Sequence, residues 1–220
     1  MMQFMIKAVK ANLSPKYRLF FRRFKDKKFA LLDVGCGNHS PARAKYFFPF
    51  VEYYGIDKDV YNNDEQDFKD MKIFYKKDLE KDSLEDIPDD FFDVIIFCHV
   101  IEHLENGLSV VEQLSKKMKK GGNIYIEFPS VKSLSLPSMN GTLNFCDDAT
   151  HKKLYDLKEV ANVLLKNNCK IIRAGARRNL WGIVLAPITL LNAWVRGLAP
   201  AGALWDVFGF AEYIHGQRVQ

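Results

Sequence analysis

The sequence predicts an α/β fold with a doubly wound, mostly parallel sheet. Short apolar runs with the composition of buried strands alternate with segments of helical periodicity along residues 29–178. The first run, residues 29–32, leads through Asp33 into a turn with glycines at positions 35 and 37. A strand that ends in a glycine turn lets an open α/β sheet bring a ligand against its backbone at the carboxyl edge. A small-molecule site is therefore expected at this edge.

Length, composition and charge divide the chain into two parts. The 220 residues are 48% hydrophobic and 27% charged, which is an ordinary balance for one globular domain with additions at its ends. The net charge of +5 is concentrated in residues 1–28, which hold nine basic residues and one acidic residue, whereas the rest holds 23 basic and 26 acidic residues. We interpret 1–28 as a basic amphipathic helical arm and 29–220 as the domain. The arm is expected to cover the edge of the sheet, with contact to anionic lipid as the second alternative and contact to RNA as the third.

Cysteine usage indicates a reducing compartment. The four cysteines are far apart and include no C-x-x-C pair, so neither a disulfide framework nor a zinc site is expected. The basic amino terminus lacks the continuous apolar core and the small-residue cleavage site of a secretory signal. A cytoplasmic location is expected, and a peripheral position at the inner membrane surface stays open as an alternative. The cysteines are Cys36, Cys98, Cys146 and Cys169.

The residues around the glycine turn distinguish between two classes of nucleotide-like ligand. A dinucleotide site needs a third glycine at position 40, where this chain has Ser40. The pattern at 33–37 is instead D-V-G-C-G. A second predicted strand, 51–56, ends at Asp57, about 20 residues after the turn. A carboxylate at that place can accept hydrogen bonds from both hydroxyls of a ribose.

These motifs, together with F-D-V-I-I-F-C-H-V-I-E-H-L at 92–104, resemble class I S-adenosylmethionine-dependent methyltransferases of the small-molecule type. The resemblance extends from residue 29 to about 178. It implies a Rossmann-like doubly wound seven-stranded sheet, mostly parallel with an antiparallel last strand, and S-adenosylmethionine as the cofactor. Asp57 matches the ribose-binding position, and Asp78 with Leu79 matches the adenine-binding position. The residues that match the cofactor site are Asp33, Gly35, Cys36, Gly37, Asp57, Lys58, Asp78, Leu79, Cys98 and His99.

The second half of the domain continues the alternation of helices and strands. A helix over 107–120 is expected to end at the glycine pair 121–122, because its last turn is rich in lysine and glycine commonly stops a helix. Residues 130–150 lack clear periodicity and are expected to form a loop on the substrate side. The remaining predicted elements are a fifth strand at 123–128, a helix at 154–167, a sixth strand at 169–174 and the last strand within 208–219.

An apolar insertion is predicted at about 179–208. Its first 17 residues, 179–195, carry no charge, but a membrane-spanning helix needs about 20 residues and Pro187 is expected to interrupt this one. The insertion is therefore interpreted as a cap over the active site, or as a surface that meets a partner or a membrane.

Histidine is the residue type that an alcohol acceptor would need. Methyl transfer from a sulfonium depends mainly on orientation, but an alcohol usually needs a general base with a pKa near neutrality. His151 is the preferred base, because it ends a D-D-A-T-H segment that resembles methyltransferases associated with surface-polysaccharide pathways. His103 is the second candidate, and a non-catalytic role stays open for both. Asp147 or Asp148 is expected to hold the far nitrogen of His151.

Three classes of function remain in view. The preferred one is O-methylation of a small hydroxylated acceptor, such as a sugar or a lipid-linked glycan. The second is a nucleic-acid methyltransferase that uses the basic arm, although the domain is slightly acidic and no N-P-P-Y run follows the fourth strand. The third is a non-catalytic module that binds the cofactor or docks on a membrane. No metal is expected, because Glu102 alone matches the acidic residues that bind a divalent ion in some quinone-pathway O-methyltransferases. The sequence does not set the oligomeric state.

Overall fold

The centre of the protein is a seven-stranded sheet in a computed structural model that describes residues 7, 10, 11 and 14–219. The strand order is β3-β2-β1-β4-β5-β7-β6. The first five strands pair in parallel, and β7 runs antiparallel to both β5 and β6. The predicted sheet, mostly parallel with an antiparallel last strand, is therefore confirmed. The strands are β1 (Phe29–Val34), β2 (Val51–Asp57), β3 (Met71–Lys76), β4 (Phe92–Cys98), β5 (Met118–Pro129), β6 (Cys169–Ala176) and β7 (Ala211–Arg218).

Helices cover both faces of this sheet, so the fold is doubly wound. Successive residues of β1 point to opposite faces, with Ala30 and Leu32 in one buried cluster and Phe29 and Leu31 in the other. The helices are α1 (Pro15–Phe24), α2 (Ser40–Phe47), α3 (Glu65–Asp70), α4 (Gly107–Lys117), α5 (Leu157–Lys166), α6 (Leu180–Val195) and α7 (Ala201–Phe208).

Helix α1 packs its aromatic side against the sheet. Tyr17, Phe20, Phe21 and Phe24 recur at helical spacing, and all four are buried in the same cluster as Phe29. The basic residues Arg22 and Arg23 lie on the exposed side of the helix. Residues 1–6, 8, 9, 12 and 13 of the predicted arm lie outside the described residues, so the division of the chain at residue 28 stays a prediction.

The boundary between α4 and β5 differs from the prediction. The helix ends at Lys117 rather than at residue 120, and β5 begins at once with the buried Met118, which pairs with Phe92. Gly121 has φ +75°, and the pairing shifts from Phe92–Met118 to Val94–Asn123 across this segment. The two glycines therefore form an irregularity inside β5 instead of stopping the helix, because burial of Met118 against β4 fixes the start of the strand.

The predicted apolar insertion folds into two helices, α6 and α7. Helix α6 continues through Pro187, so the expected interruption does not occur. Proline lacks an amide hydrogen and so removes one hydrogen bond of the helix, but this loss does not end α6. No helix among the described residues has the length and apolar character needed to cross a membrane.

Candidate functional site

The glycine turn after β1 is packed too closely to hold side chains. Gly35 has φ +81°, and a Cβ there would lie 2.3 Å from Cγ2 of Val100, in the turn after β4. A Cβ at Gly37 would lie 2.6 Å from Cβ of Tyr61. The Gly37 amide donates a hydrogen bond to Oδ2 of Asp57 at 3.0 Å. Backbone and one carboxylate therefore form the surface where β1, β2 and β4 end, as a ligand that lies flat on a glycine turn requires.

Asp33 and Cys36 have side chains inside the protein. The Asp33 side chain is 1% exposed, and it accepts a hydrogen bond from the Tyr53 hydroxyl at 2.7 Å. Burial raises the pKa of the Asp33 carboxyl, against the opposite effect of Lys16 and Tyr53. Burial likewise raises the pKa of the Cys36 thiol. The Asp33 side chain is therefore held inside the protein by Tyr53 and Lys16, and the Cys36 side chain is also buried, so only its backbone can face a ligand.

Asp57, Lys58, Asp78 and Leu79 come together where β2 and β3 end. Nζ of Lys58 lies 3.4 Å from Oδ2 of Asp78, and Oδ1 of Asp78 accepts the Glu80 amide hydrogen at 3.1 Å. The Glu80 amide, with help from Lys58, lowers the pKa of Asp78 despite some burial. Leu79 packs on the larger buried cluster. The edge thus presents two carboxylates with an apolar side chain beside them.

His99, directly after β4, has its ring between two carboxylates. Nδ1 lies 3.1 Å from Oε1 of Glu102, and Nε2 lies 2.9 Å from Oε1 of Glu127. Burial by itself lowers the pKa of His99, but the hydrogen bonds to these carboxylates outweigh it and raise the pKa to about 9. The residue has φ +53°, and its amide donates to the Glu127 carbonyl oxygen at 2.8 Å. The sequence analysis placed His99 in the cofactor site and did not predict these contacts of its ring.

Glu127 joins this histidine to the cap of the site. Its Oε1 accepts a hydrogen bond from Nη1 of Arg177 at 2.9 Å, and Nε of Arg177 donates to Oδ1 of Asp206 at 3.0 Å. His99 and Arg177 outweigh the effect of burial and lower the pKa of Glu127 to about 2. The Tyr125 hydroxyl donates to its other oxygen. A signal for this network existed in the sequence, because Glu127 and Asp206 are single charges within apolar runs, and such charges need buried partners.

Helix α7 and the loop 130–150 lie over His99. The Trp205 ring has its centroid 4.9 Å from that of His99, and its Nε1 donates to the Thr142 carbonyl oxygen at 2.8 Å. A cleft of about 630 Å³ is lined by residues 138–142 and 146–149, which include hydroxyl, amide and carboxylate side chains. Part of the predicted apolar insertion therefore contacts the site, as a cap would.

Glu102, His103 and His151 form a second group beside this network, which we call the Glu–His–His cluster. The Lys152 and Lys153 amides donate to the Glu102 carbonyl oxygen at 2.9 and 3.1 Å, so the chain after the 130–150 loop crosses the turn that follows β4. The rings of His103 and His151 have centroids 4.9 Å apart. One ligand atom from each of the three side chains lies within 4.8 Å of the others. The structure thus brings both predicted base candidates together, with a carboxylate that was not assigned a catalytic role.

The expected partners of His151 are only partly in place. Its Nδ1 lies 2.7 Å from the Phe145 carbonyl oxygen, and its Nε2 lies 3.9 Å from Oδ2 of Asp148. Asp147 does not hold the ring, because its Oδ2 accepts three backbone amide hydrogens from its own loop, which orders that loop. These amides belong to Met139, Leu143 and Asn144.

Comparison with known proteins gives the family. A family model described as a methyltransferase domain matches residues 5–174, which is well over half of the chain, so the chain belongs to this methyltransferase-domain family. It is an S-adenosylmethionine-dependent methyltransferase of class I fold, and S-adenosylmethionine is its cofactor. No curated protein matches the sequence.

Solved structures share this fold at low identity. An S-adenosylmethionine-dependent methyltransferase from Archaeoglobus fulgidus is 22% identical with a TM-score of 0.57, over 98% of this chain and 94% of that one. One from Mesorhizobium loti is 12% identical with a TM-score of 0.60, over 94% and 100%. An O-methyltransferase family protein from Burkholderia thailandensis is 13% identical with a TM-score of 0.58, over 99% of this chain and 56% of that one.

Proposed function

We propose that this enzyme transfers the methyl group of S-adenosylmethionine to a hydroxyl of a small acceptor, a sugar or a lipid-linked glycan. The observation that carries the proposal is the Glu–His–His cluster. Its first residue, Glu102, comes two residues after Val100, whose side chain packs on Gly35. An alcohol is a weak nucleophile, and its proton must leave as the new C–O bond forms. A pair of imidazoles beside the methyl donor is suited to that step.

The cofactor would lie across the ends of β1, β2, β3 and β4. Asp57 would accept the ribose hydroxyls, with one of its oxygens already oriented by the Gly37 amide. Asp78 would accept from the adenine amino group while Leu79 packs on the ring, and Lys58 would hold Asp78 in place. The fit is supported by a turn that has no room for side chains and by carboxylates placed to accept from hydroxyl and amino groups. Asp33, Gly35, Cys36, Gly37, Cys98 and His99 complete the proposed cofactor site.

The hydrogen bonds of the two histidines prepare them to accept a proton. Nδ1 of His151 faces the Phe145 carbonyl oxygen, and Nδ1 of His103 faces the Thr150 carbonyl oxygen at 3.1 Å. The Thr150 hydroxyl also lies 3.0 Å from Nδ1 of His103, but it donates its hydrogen to Oδ1 of Asp148 and so accepts as well. A carbonyl oxygen can only accept, so the hydrogen of each neutral ring resides on Nδ1. Nε2 of each ring is then left with its lone pair. His151 is the proposed base and His103 the second candidate, while bound S-adenosylmethionine supplies the electrophilic methyl group.

The surroundings of the cluster favour a hydroxyl-rich acceptor. The cleft at 138–149 is lined by hydroxyl, amide and carboxylate side chains, among them Ser138, Asn140, Thr142 and Asp148. Such groups recognise hydroxyls through directed hydrogen bonds. The cleft belongs to the loop that ends at His151, so an acceptor bound there would lie next to the proposed base.

Peripheral membrane contact is a second proposal, and the outer face of α6 supports it. Seven large apolar residues on this helix are exposed, including Trp194, which is 80% exposed. Arg178 and Arg196 flank the helix, and no acidic residue occurs in 177–205. An apolar helix with basic residues at its ends is typical of segments that lie in the surface of an anionic membrane. The seven residues are Leu180, Trp181, Val184, Ile188, Leu191, Trp194 and Val195.

The acceptor class can be tested by following the methyl group. The enzyme is incubated with S-adenosylmethionine carrying a ¹³C-labelled methyl and, separately, with simple glycosides, polyprenyl-linked sugars, amines and RNA. The proposal expects a new O-methyl resonance on a sugar substrate and faster transfer for one that is lipid-linked. Transfer to RNA or to an amine in preference to every sugar would overturn it.

A further inference from the structure

We infer that Glu102, His103 and His151 bind a divalent transition-metal ion. The geometry of the cluster alone supports binding of this ion. What the ion does there rests on the proposed function. No metal was expected from the sequence, because only carboxylates near Glu102 were considered. The sequence did not predict that His151 lies beside Glu102.

Glu102 has a buried oxygen that needs a partner. Its side chain is 2% exposed, and Oε1 accepts a hydrogen bond from His99. Oε2 is buried and has no hydrogen-bond partner among the residues that the structure describes. A buried carboxylate oxygen without a partner is energetically costly, so such atoms are rare in folded proteins. A cation in the adjoining space would supply the missing interaction.

The two histidines are oriented as metal ligands usually are. In metal sites, a ligating imidazole almost always donates its other ring hydrogen to a carbonyl or a carboxylate, which fixes the tautomer. His103 and His151 both place Nδ1 against backbone carbonyl oxygens. Their Nε2 atoms are therefore available for an ion, and the carbonyls of Thr150 and Phe145 are the supporting groups.

The donor set indicates which class of ion would bind. Two imidazole nitrogens and one carboxylate oxygen leave coordination positions open, as in catalytic zinc sites and non-haem iron sites. Imidazole suits zinc, copper, iron and nickel, whereas magnesium, calcium and manganese prefer oxygen ligands. Ligand atoms within 4.8 Å of one another need only small side-chain movements to meet a single ion.

A second group of histidine and carboxylate side chains in the same chain provides a comparison. His39, Asp64 and Asp67 also form a compact group. There, Oδ2 of Asp67 lies 2.6 Å from the His39 ring, and Oδ1 of Asp64 accepts backbone amides at the start of α3. These atoms already have hydrogen-bond partners, so we assign no ion to this group, and it serves as a control.

The ion would change how the acceptor hydroxyl is activated. A hydroxyl bound at an open coordination position loses its proton more readily, because the positive charge favours the alkoxide. The proton passes to solvent, the oxygen forms a bond to the methyl carbon, and the carbon–sulfur bond of the sulfonium breaks. The products are a methyl ether, S-adenosylhomocysteine and the proton released to solvent.

Cobalt(II) binding tests the inference without measuring activity. Full-length protein freed of metal by a chelator is titrated with CoCl₂, and heat and visible absorption are followed. We expect one ion per chain, with a spectrum that lacks thiolate charge-transfer bands, which excludes the exposed Cys146. Glu102→Gln, His103→Ala and His151→Ala should each weaken binding by at least about tenfold, whereas His39→Ala should not change it. Circular dichroism checks that each variant folds, and His103 is not fully buried, so His103→Ala provides a tolerant position.

Two results would overturn the inference. One is the absence of cobalt binding at millimolar concentration, and the other is binding that survives all three cluster variants or is lost only in His39→Ala. If cobalt does not bind but hydroxyl methylation proceeds, the proposed function stands and His151 acts as the base. If cobalt binds at the cluster but no hydroxyl is methylated, the ion site stands and the proposed function fails.

Discussion

The rings of His103 and His151 lie with their centroids 4.9 Å apart, although one follows β4 and the other ends the loop before α5. The contact is held by backbone hydrogen bonds, because the Lys152 and Lys153 amides both donate to the Glu102 carbonyl oxygen. The chain that follows the 130–150 loop is thereby anchored to the turn after β4. Two histidines from distant segments are thus brought together by the backbone rather than by contact between the rings themselves.

Replacing Asp57 by alanine should weaken cofactor binding. Asp57→Ala removes the acceptor of both ribose hydroxyls, and we expect a loss of roughly 2–4 kcal/mol for S-adenosylhomocysteine, measured by calorimetry. Asp57→Asn keeps an oxygen for the Gly37 amide and should lose less. Asp59→Ala, two residues away and exposed, is the control and should bind as the native protein does. Equal affinity in Asp57→Ala would remove this residue from the cofactor site.

Arg177 should contribute strongly to stability. Its guanidinium bridges Glu127 and Asp206, so Arg177→Ala leaves two buried carboxylates facing each other across the cap. We expect the free energy of unfolding in urea to fall by about 3–5 kcal/mol. The exposed neighbour Arg178 offers a matched control, and Arg178→Ala should cost less than about 1 kcal/mol. Similar losses in the two variants would show that the network adds little.

His215 should make the protein less stable at acidic pH. Burial, with smaller effects from Arg173 and Arg23, lowers the pKa of His215 to about 4, and Nδ1 has no partner among the described residues. Below pH 6.5 the His215 side chain is therefore protonated in the unfolded chain while it is still neutral in the folded chain. Stability is lost as the pH falls from 6.5 to about 4, by an amount on the order of 2 kcal/mol.

His215→Gln removes this titration and isolates the effect. The difference in urea stability between native protein and variant should change with pH between 7 and 4, in favour of the variant as the pH falls. Carboxylates that titrate in the same range cancel in this difference. A difference that stays constant with pH would contradict the prediction.

The α6 surface should bind anionic vesicles. Trp194→Asp places a charge on the most exposed aromatic residue of the helix, so co-sedimentation with phosphatidylglycerol vesicles should fall several-fold. Added salt should weaken binding of the native protein, because Arg178 and Arg196 contribute by charge. Phe50→Asp is the control, since Phe50 is also exposed but precedes β2, which lies four strands away from β7 and five from β6. No binding by native protein at low salt would leave α6 as a cap alone.

Local patterns were enough to predict the sheet and the ends of the strands where the cofactor site is proposed. The β4 segment is apolar on both faces, as a central strand must be, and Asp57 ends β2 at the spacing of a ribose acceptor. Parallel strands end at the same edge, so the positions of Asp57 beside the glycine turn and of Asp78 near the end of β2 followed from the strand assignments. These features depend on short stretches of sequence and on general rules of sheet geometry.

The charged network and the cluster depend on contacts that periodicity does not encode. Glu127 lies in β5, Arg177 follows β6 and Asp206 lies in α7, so their meeting is set by the order of strands and the packing of the cap. The end of α4 was also beyond local rules. Lysines and glycines there are typical of a helix end, yet the burial of Met118 against β4 decides the boundary.

The most direct test of the account compares chemistry with cofactor binding in His151→Ala. Single-turnover methyl transfer to the best sugar acceptor and affinity for S-adenosylhomocysteine are measured side by side in native and variant protein. The account predicts a rate lower by about 10²–10⁴-fold, with cofactor affinity essentially unchanged. A rate that equals that of the native enzyme would contradict the central claim, because the Glu–His–His cluster would then take no part in activating the acceptor.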